Sequence, residues 1–164
     1  MKTILSCMFA ALSLAPTSLV AQNPRPACVL MAAVDLKPLL GADHEAPAPY
    51  GDSACVAKSK TPGRLVLLAV IDKPNAELKK DLAAFKKQMS APEAAQAMTL
   101  APAPEFGPEA YSTREKGERS AADITALKGN KSVNLTLNWS KGPITDPIFK
   151  QLRDLMTSVL ARLP

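Results

Sequence analysis

The chain has one histidine, His44, and one tryptophan, Trp139; in 164 residues it has only 7 glycines and 3 cysteines, and aromatics make up 4% of it. Each shortage removes a class of chemistry. A lone imidazole has no second histidine with which to share a zinc ion. So few glycines leave neither G-x-G-x-x-G nor G-x-x-x-x-G-K-[ST], which excludes nucleotide binding through those phosphate cradles. No apolar run reaches the roughly 20 residues of a membrane-spanning helix. The formal charge of +5 is a modest surplus that suits solubility and contact with anionic envelope surfaces, and it is not a nucleic-acid footprint. Lys79, Lys80, Lys86 and Lys87 do cluster. They fall opposite Leu78, Leu82, Phe85 and Met89 on a predicted helix, as a solvated face does.

What is present begins with a leader. Met1-Lys2-Thr3 brings one positive charge, Ile4 to about Ala15 is an almost unbroken run of apolar and small residues, and Pro16-Thr17-Ser18-Leu19-Val20-Ala21 precedes Gln22. That order is the one a secretory signal peptide follows. Residues 1–21 are therefore expected to be removed, leaving 22–164 as a single domain, periplasmic or secreted. Its length, 164 less 21 or 143 residues, is enough to bury a real core. Loss of Lys2 takes the formal charge from +5 to +4. No cysteine stands directly after the apolar run, so no lipid anchor is expected. Cys7 leaves with the leader, and Cys28 with Cys55 is the only intramolecular bridge that the mature chain can form. An oxidising compartment would use such a pair; the alternative is two free buried thiols.

Along the mature chain, Val29 to Leu40 reads as a short helix stopped by Gly41 and kinked or restarted at Pro38. Residues 41–51 form a loop. Ser53 to Ser59 and Arg64 to Ile71 are two strands around a turn at Thr61-Pro62-Gly63, the second apolar on both faces and so expected inside a covered sheet. Asn75 to Met89 is an amphipathic helix. Residues 91–109 are rich in alanine and proline and read as a long connection, with room for a short edge strand near Ala97 to Leu100. Ala110 to Arg114, Ala121 to Lys128 and Ser132 to Trp139 are strands, the last two joined through Gly129-Asn130. Strict alternation in Val133 to Trp139 buries Val133, Leu135, Leu137 and Trp139 and leaves Asn134, Thr136 and Asn138 on the other face. Asp146-Pro147 opens a terminal helix whose core side is Ile148, Leu152, Leu155, Val159 and Leu163. The predicted fold is α+β: an antiparallel sheet of about five strands with helices packed on it. Leu78, Phe85, Leu135, Trp139, Leu152 and Val159 are placed in its core.

The residues Cys28, Leu39-Leu40-Gly41, Gly51 with Cys55, Phe106-Gly107 with Ala110-Tyr111, and Lys128-Gly129 follow an order that resembles a loose family of small exported bacterial proteins and lipoproteins of unknown function. Related domains of that family occur as extracellular sensor modules. The resemblance implies helices packed on an antiparallel sheet, similar to the PsbP-like α/β arrangement, and a Cys28–Cys55 bridge. The chain departs from it in lacking a lipid-attachment cysteine.

A search for catalytic residues finds little. Gly51-Asp52-Ser53-Ala54-Cys55 starts like a nucleophile elbow, but Cys55 stands where the second glycine belongs. Asp43-His44-Glu45 are adjacent and lack the further ligands that a metal site needs. Glu77 with Asp81 and Glu115 with Glu118 are the nearest carboxylate pairs. Asn134-Leu135-Thr136 and Asn138-Trp139-Ser140 match the glycosylation sequon, which alternation of Asn and Thr on a strand produces by chance. No catalytic residue, metal site or cofactor is expected. The function read from the sequence is a non-catalytic exported binding or interaction module, with an envelope protein or small ligand as partner and Asn134, Thr136 and Asn138 as the candidate surface. The alternative is a small carboxylate-dependent envelope enzyme.

Overall fold

The computed structural model describes residues 25–117, 120–140 and 142–164. The predicted leader, residues 1–21, and Glu118 lie outside the described residues. The elements run α1 (Pro26–Ala32), α2 (Lys37–Leu40), β1 (Ala48–Tyr50), β2 (Ala54–Lys58), β3 (Arg64–Asp72), α3 (Asn75–Met89), α4 (Pro92–Ala97), β4 (Met98–Pro102), a 3-10 turn at Pro104–Phe106, β5 (Tyr111–Glu115), β6 (Ser120–Lys128), β7 (Lys131–Trp139) and α5 (Asp146–Arg162). The strands form one antiparallel sheet in the order β1-β2-β3-β7-β6-β5-β4.

The sheet has seven strands, not about five. The two beyond that number are its edges: β1 lies in the segment 41–51 expected as loop, and β4 follows the short edge strand expected near Ala97 to Leu100. β1 carries Pro49 and β4 ends on Pro102, residues that cannot donate to a ladder on both sides and are tolerated at a rim. The helix expected over Val29 to Leu40 is two pieces, because Pro38 sits in the first turn of α2, where its missing N–H costs nothing.

The two faces of the sheet are built differently. On one, Val66, Leu68, Ala122, Ile124, Ala126, Val133, Leu135 and Leu137 meet α1, α2 and α5 in the main core. The 27-residue separation of Cys28 and Cys55 is closed by a disulfide that ties α1 to β2. α5 is fastened at both ends. Arg114 of β5 donates to Asp146 Oδ1 at 2.7 and 2.8 Å, and Lys128 of β6 donates to the Leu160 and Leu163 carbonyls at 3.0 and 2.6 Å. A cation on the last carbonyls of a helix satisfies acceptors that the helix leaves open and complements its dipole.

α3 lies over the opposite face. Its start is held by Asn75 Nδ2, which donates to the Gly129 carbonyl at 3.0 Å, and by the preceding Lys73 N–H on the Asn130 carbonyl, also at 3.0 Å. Gly129 has φ 60°, the left-handed value that a two-residue hairpin turn asks of a residue without a Cβ. Leu78 and Leu82 are buried beneath the helix. Phe85 is not core as expected: it is 37% exposed and stacks on Tyr111 at 5.3 Å between ring centroids. Trp139 is also only partly buried, since β7 runs out at the end of the sheet and Arg64 covers its ring. Lys86, expected on the solvated side of α3, folds inward to donate to the Glu109 carbonyl at 2.9 Å.

Candidate functional site

The face that carries Asn134, Thr136 and Asn138 is crossed by α3 and has a cleft beneath that helix; a second cavity lies at the end of the sheet, where Arg64, Ser120 and Trp139 reach it from the opposite face. Asn134 lines a cleft of about 450 Å³ between α3 and the sheet; Asn138 lines a cavity of about 490 Å³ where the sheet ends. Thr136 lies between them on β7. The predicted row is thus divided by the fold into two neighbourhoods.

The floor of the cleft is a polar ladder set by strand register. Thr125 of β6 pairs with Asn134 of β7 on one side and Tyr111 of β5 on the other; in the next row of that face Asp123 pairs with Thr136 and Thr113. Asn134 Nδ2 donates to Thr125 Oγ1 at 2.9 Å, and Thr113 Oγ1 donates to Asp123 Oδ2 at 3.1 Å. The Thr136 hydroxyl donates to Asp123 Oδ1. Thr113, Thr125 and Tyr111 are buried, while Asp123, Asn134 and Thr136 are half-buried, so these bonds hold the polar groups in place at the floor of an open cleft. Burial raises the Tyr111 pKa above its ordinary 10.0; the Thr125 hydroxyl works against that shift, and the Asp123 charge adds to it. Tyr111 is therefore a neutral hydroxyl at physiological pH.

The roof is apolar. Leu78, Leu82 and Phe85 of α3 face the ladder, with Ile71 of β3 at the margin and Lys73 and Asp81 at the mouth. Lys73 Nζ donates to Asp81 Oδ2 at 3.1 Å, an exposed pair. An apolar wall opposite a few fixed donors and acceptors is the usual construction of a small-molecule cleft.

At the end of the sheet, Arg64 of β3 and Trp139 of β7 are register partners, and the guanidinium carbon lies 4.1 Å from the ring centroid. The turn residues Ser59, Pro62 and Gly63 and the side chains of Lys58 and Glu115 complete the cavity wall. Glu115 Oε2 accepts the Ala121 N–H at 3.0 Å.

The other residues singled out in the sequence lie elsewhere or in simpler roles. His44 donates from Nδ1 to the Gly41 carbonyl at 2.9 Å and bridges Ser59 through its backbone, which closes the loop before β1. Ser53 is exposed in the turn between β1 and β2. Among the described residues no three His, Cys, Asp or Glu side chains gather as metal ligands. Glu77 is exposed on α3. Sequence reasoning missed Tyr111, Thr113, Asp123 and Thr125 as members of one site, and Arg64 as the partner of Trp139. The alternation of β7 could have led to the first group only if the register of three strands had been known.

No family model and no curated protein matches the chain. Among solved structures, it is similar to cyanobacterial PsbP (CyanoP) from Synechocystis sp. PCC 6803, with 10% identity over 77% of this chain and 86% of that one and a TM-score of 0.40.

Proposed function

We propose that the protein is a non-catalytic binding module of the bacterial envelope, periplasmic or secreted, that takes a small ligand with an apolar body and a hydrogen-bonding end in the cleft beneath α3. The observation that carries this reading is the opposition of Leu78, Leu82 and Phe85 to the ladder of Tyr111, Asp123, Thr125 and Asn134 across one cleft. The ladder residues are already held by one another, so they present fixed lone pairs and hydroxyls at little ordering cost to a ligand. The Cys28–Cys55 disulfide and the leader-like start of the chain support export. No helix among the described residues is long and apolar enough to cross a membrane.

A carboxylate-dependent enzyme has one observation in its favour, that Asp81 and Asp123 line the same cleft. The binding reading is preferred because Asp123 accepts from two threonine hydroxyls and Asp81 is engaged by Lys73, which leaves neither as a free general base. A screen of neutral amphipathic fragments by proton–nitrogen correlation spectra tests the proposal. Shifts gathered at Tyr111, Thr125, Ser132 and Asn134 are expected; shifts scattered over the surface would refute it. Loss of biological activity in Asp81→Asn or Asp123→Asn with fragment binding intact would favour the enzyme.

A further inference from the structure

We infer that the cavity at the end of the sheet is a second site, for an oxyanion: a carboxylate or phosphate group carried by a small molecule and received by Arg64. The molecule supplies its own comparison. Among the described residues three arginines lie over aromatic rings: Arg64 over Trp139, Arg114 over Phe149, and Arg153 over Phe106 and Phe149. Arg114 is completed by the Asp146 carboxylate, and Arg153 by the Glu105 carboxylate. Arg64 has no carboxylate partner among the described residues. Its Nε is buried and meets no acceptor there. In place of an anion it has a cavity of about 490 Å³.

A guanidinium fixed on a ring keeps its plane and its fork of N–H donors, which is the geometry that receives two oxygens of one carboxylate or phosphate side by side. A buried donor without an acceptor is unfavourable, and a ligand oxygen removes that penalty. Lys58 adds an ammonium at the cavity wall, and Glu115, the acidic residue among the described ones that line it, already accepts a backbone N–H. The balance of the described lining residues therefore favours an anion. The cavity exceeds the size of a bare ion, so the oxyanion is expected as one end of a larger molecule.

Trp139 is the only tryptophan of the chain, so fluorescence excited at the red edge, where tyrosine does not absorb, reports on this site alone. The disulfide-bonded protein is titrated with sodium phosphate and, separately, sodium acetate, with sodium chloride holding ionic strength constant. A saturable change in either series is expected: phosphate alone identifies a phosphate group as the ligand end, and acetate alone identifies a carboxylate. Arg64→Gln should weaken the midpoint about tenfold or more, and Arg64→Lys by less, because it keeps the charge and loses the fork. A response that does not saturate in either series, or one unchanged by Arg64→Gln, overturns the inference. If Arg64→Gln fails to fold, amide shifts of Gly63, Arg64 and Ser140 in the unaltered protein decide: saturable movement on titration supports the site, and none refutes it.

Discussion

Cutting the Cys28–Cys55 bridge should cost the protein about 3.5 kcal/mol of stability, from the chain entropy that a loop of 27 residues returns to the unfolded state. That is a large part of the roughly 5–15 kcal/mol that holds a domain together. The structure gives a reason to expect most of this value. Cys55 is 0% exposed in the centre of the core, and α1 is a seven-residue helix that reaches the sheet through Ala27, Leu30 and Met31, too short to hold its place by its own hydrogen bonds. Two perturbations separate the tether from the packing. Reduction keeps both sulfur atoms and removes only the link; the double variant Cys28→Ala, Cys55→Ala also removes buried volume and should cost about 1 kcal/mol more. Urea unfolding of the three species, followed by circular dichroism, measures both steps, and the midpoint of thermal unfolding should fall by about 10 °C on reduction. The urea slope should hold or rise slightly, because the untethered unfolded chain exposes more surface. A loss under about 1 kcal/mol on reduction would refute the entropic account. A falling slope would show α1 leaving separately from the rest of the core.

Two further predictions concern the core and the ladder. Leu152→Ala, at a side chain 0% exposed on the inner side of α5, should destabilise by about 2–5 kcal/mol in urea unfolding, and a parent-like midpoint would mean that α5 is not packed as described. Because the folded pKa of Tyr111 lies above its unfolded value of 10.0, the folded state keeps a proton that the unfolded state releases; stability is full below pH 10 and declines as pH rises through the folded pKa. Tyr111→Phe should remove that decline, and the tyrosinate absorbance of a Tyr50→Phe protein, with Tyr111 as its remaining phenol, should appear at a pH above 10; ionisation at or below it would contradict the burial.

The parts of the fold that were legible in the sequence are those fixed by local pattern. The alternation of Val133 to Trp139, the leucine spacing after Asp146 and the Gly129 turn each contain their own periodicity or backbone requirement, and β7, α5 and the β6–β7 hairpin follow them. Of the two edge strands, β4 follows the short edge strand expected near Ala97 to Leu100, whereas β1 was not legible, since Pro47 and Pro49 argue against a ladder unless the strand is known to lie at a rim. The stripe of α3 shows that the helix covers something, but not which face of the sheet. That choice is made by Asn75 and Lys73 reaching the turn at Gly129 and Asn130, a contact between residues far apart in the chain. The candidate row fared in the same way. Asn134, Thr136 and Asn138 are visible as one polar face, yet their partners Thr125, Asp123 and Thr113 come from strands whose register no single segment encodes. Arg64 looked like the opening residue of a strand, and only its pairing opposite Trp139 gives it a ring to lie on.

The contrast between the two faces leads to the last prediction. On the α5 side the centre of the sheet offers Val66, Leu68, Leu135 and Leu137 to the main apolar core. On the α3 side one row carries Thr113, Asp123 and Thr136, whose two hydroxyls both bond the carboxylate; Thr136 also donates to Asn134 Oδ1 at 3.0 Å, an acceptor that lines the open cleft. An apolar set of similar shape would do the same structural work, because replacing all members of a hydrogen-bonded group together leaves no orphaned donor or acceptor. The combined variant Thr113→Val, Asp123→Leu, Thr136→Val should therefore keep the fold, with a stability change within about 1–2 kcal/mol, whereas Asp123→Leu alone strands two threonine hydroxyls and should be worse than the combination. The same combined variant should weaken fragment binding in the cleft, since it removes the Asp123 carboxylate from the floor and leaves Tyr111, Thr125 and Asn134 to orient a polar end. Urea unfolding and the fragment screen, run on one preparation, separate the outcomes. If the combination is far less stable than the single change, the Asp123 row is a structural necessity of this face; if it is stable and still binds the same fragments, Asp123 is not the group that the ligand contacts.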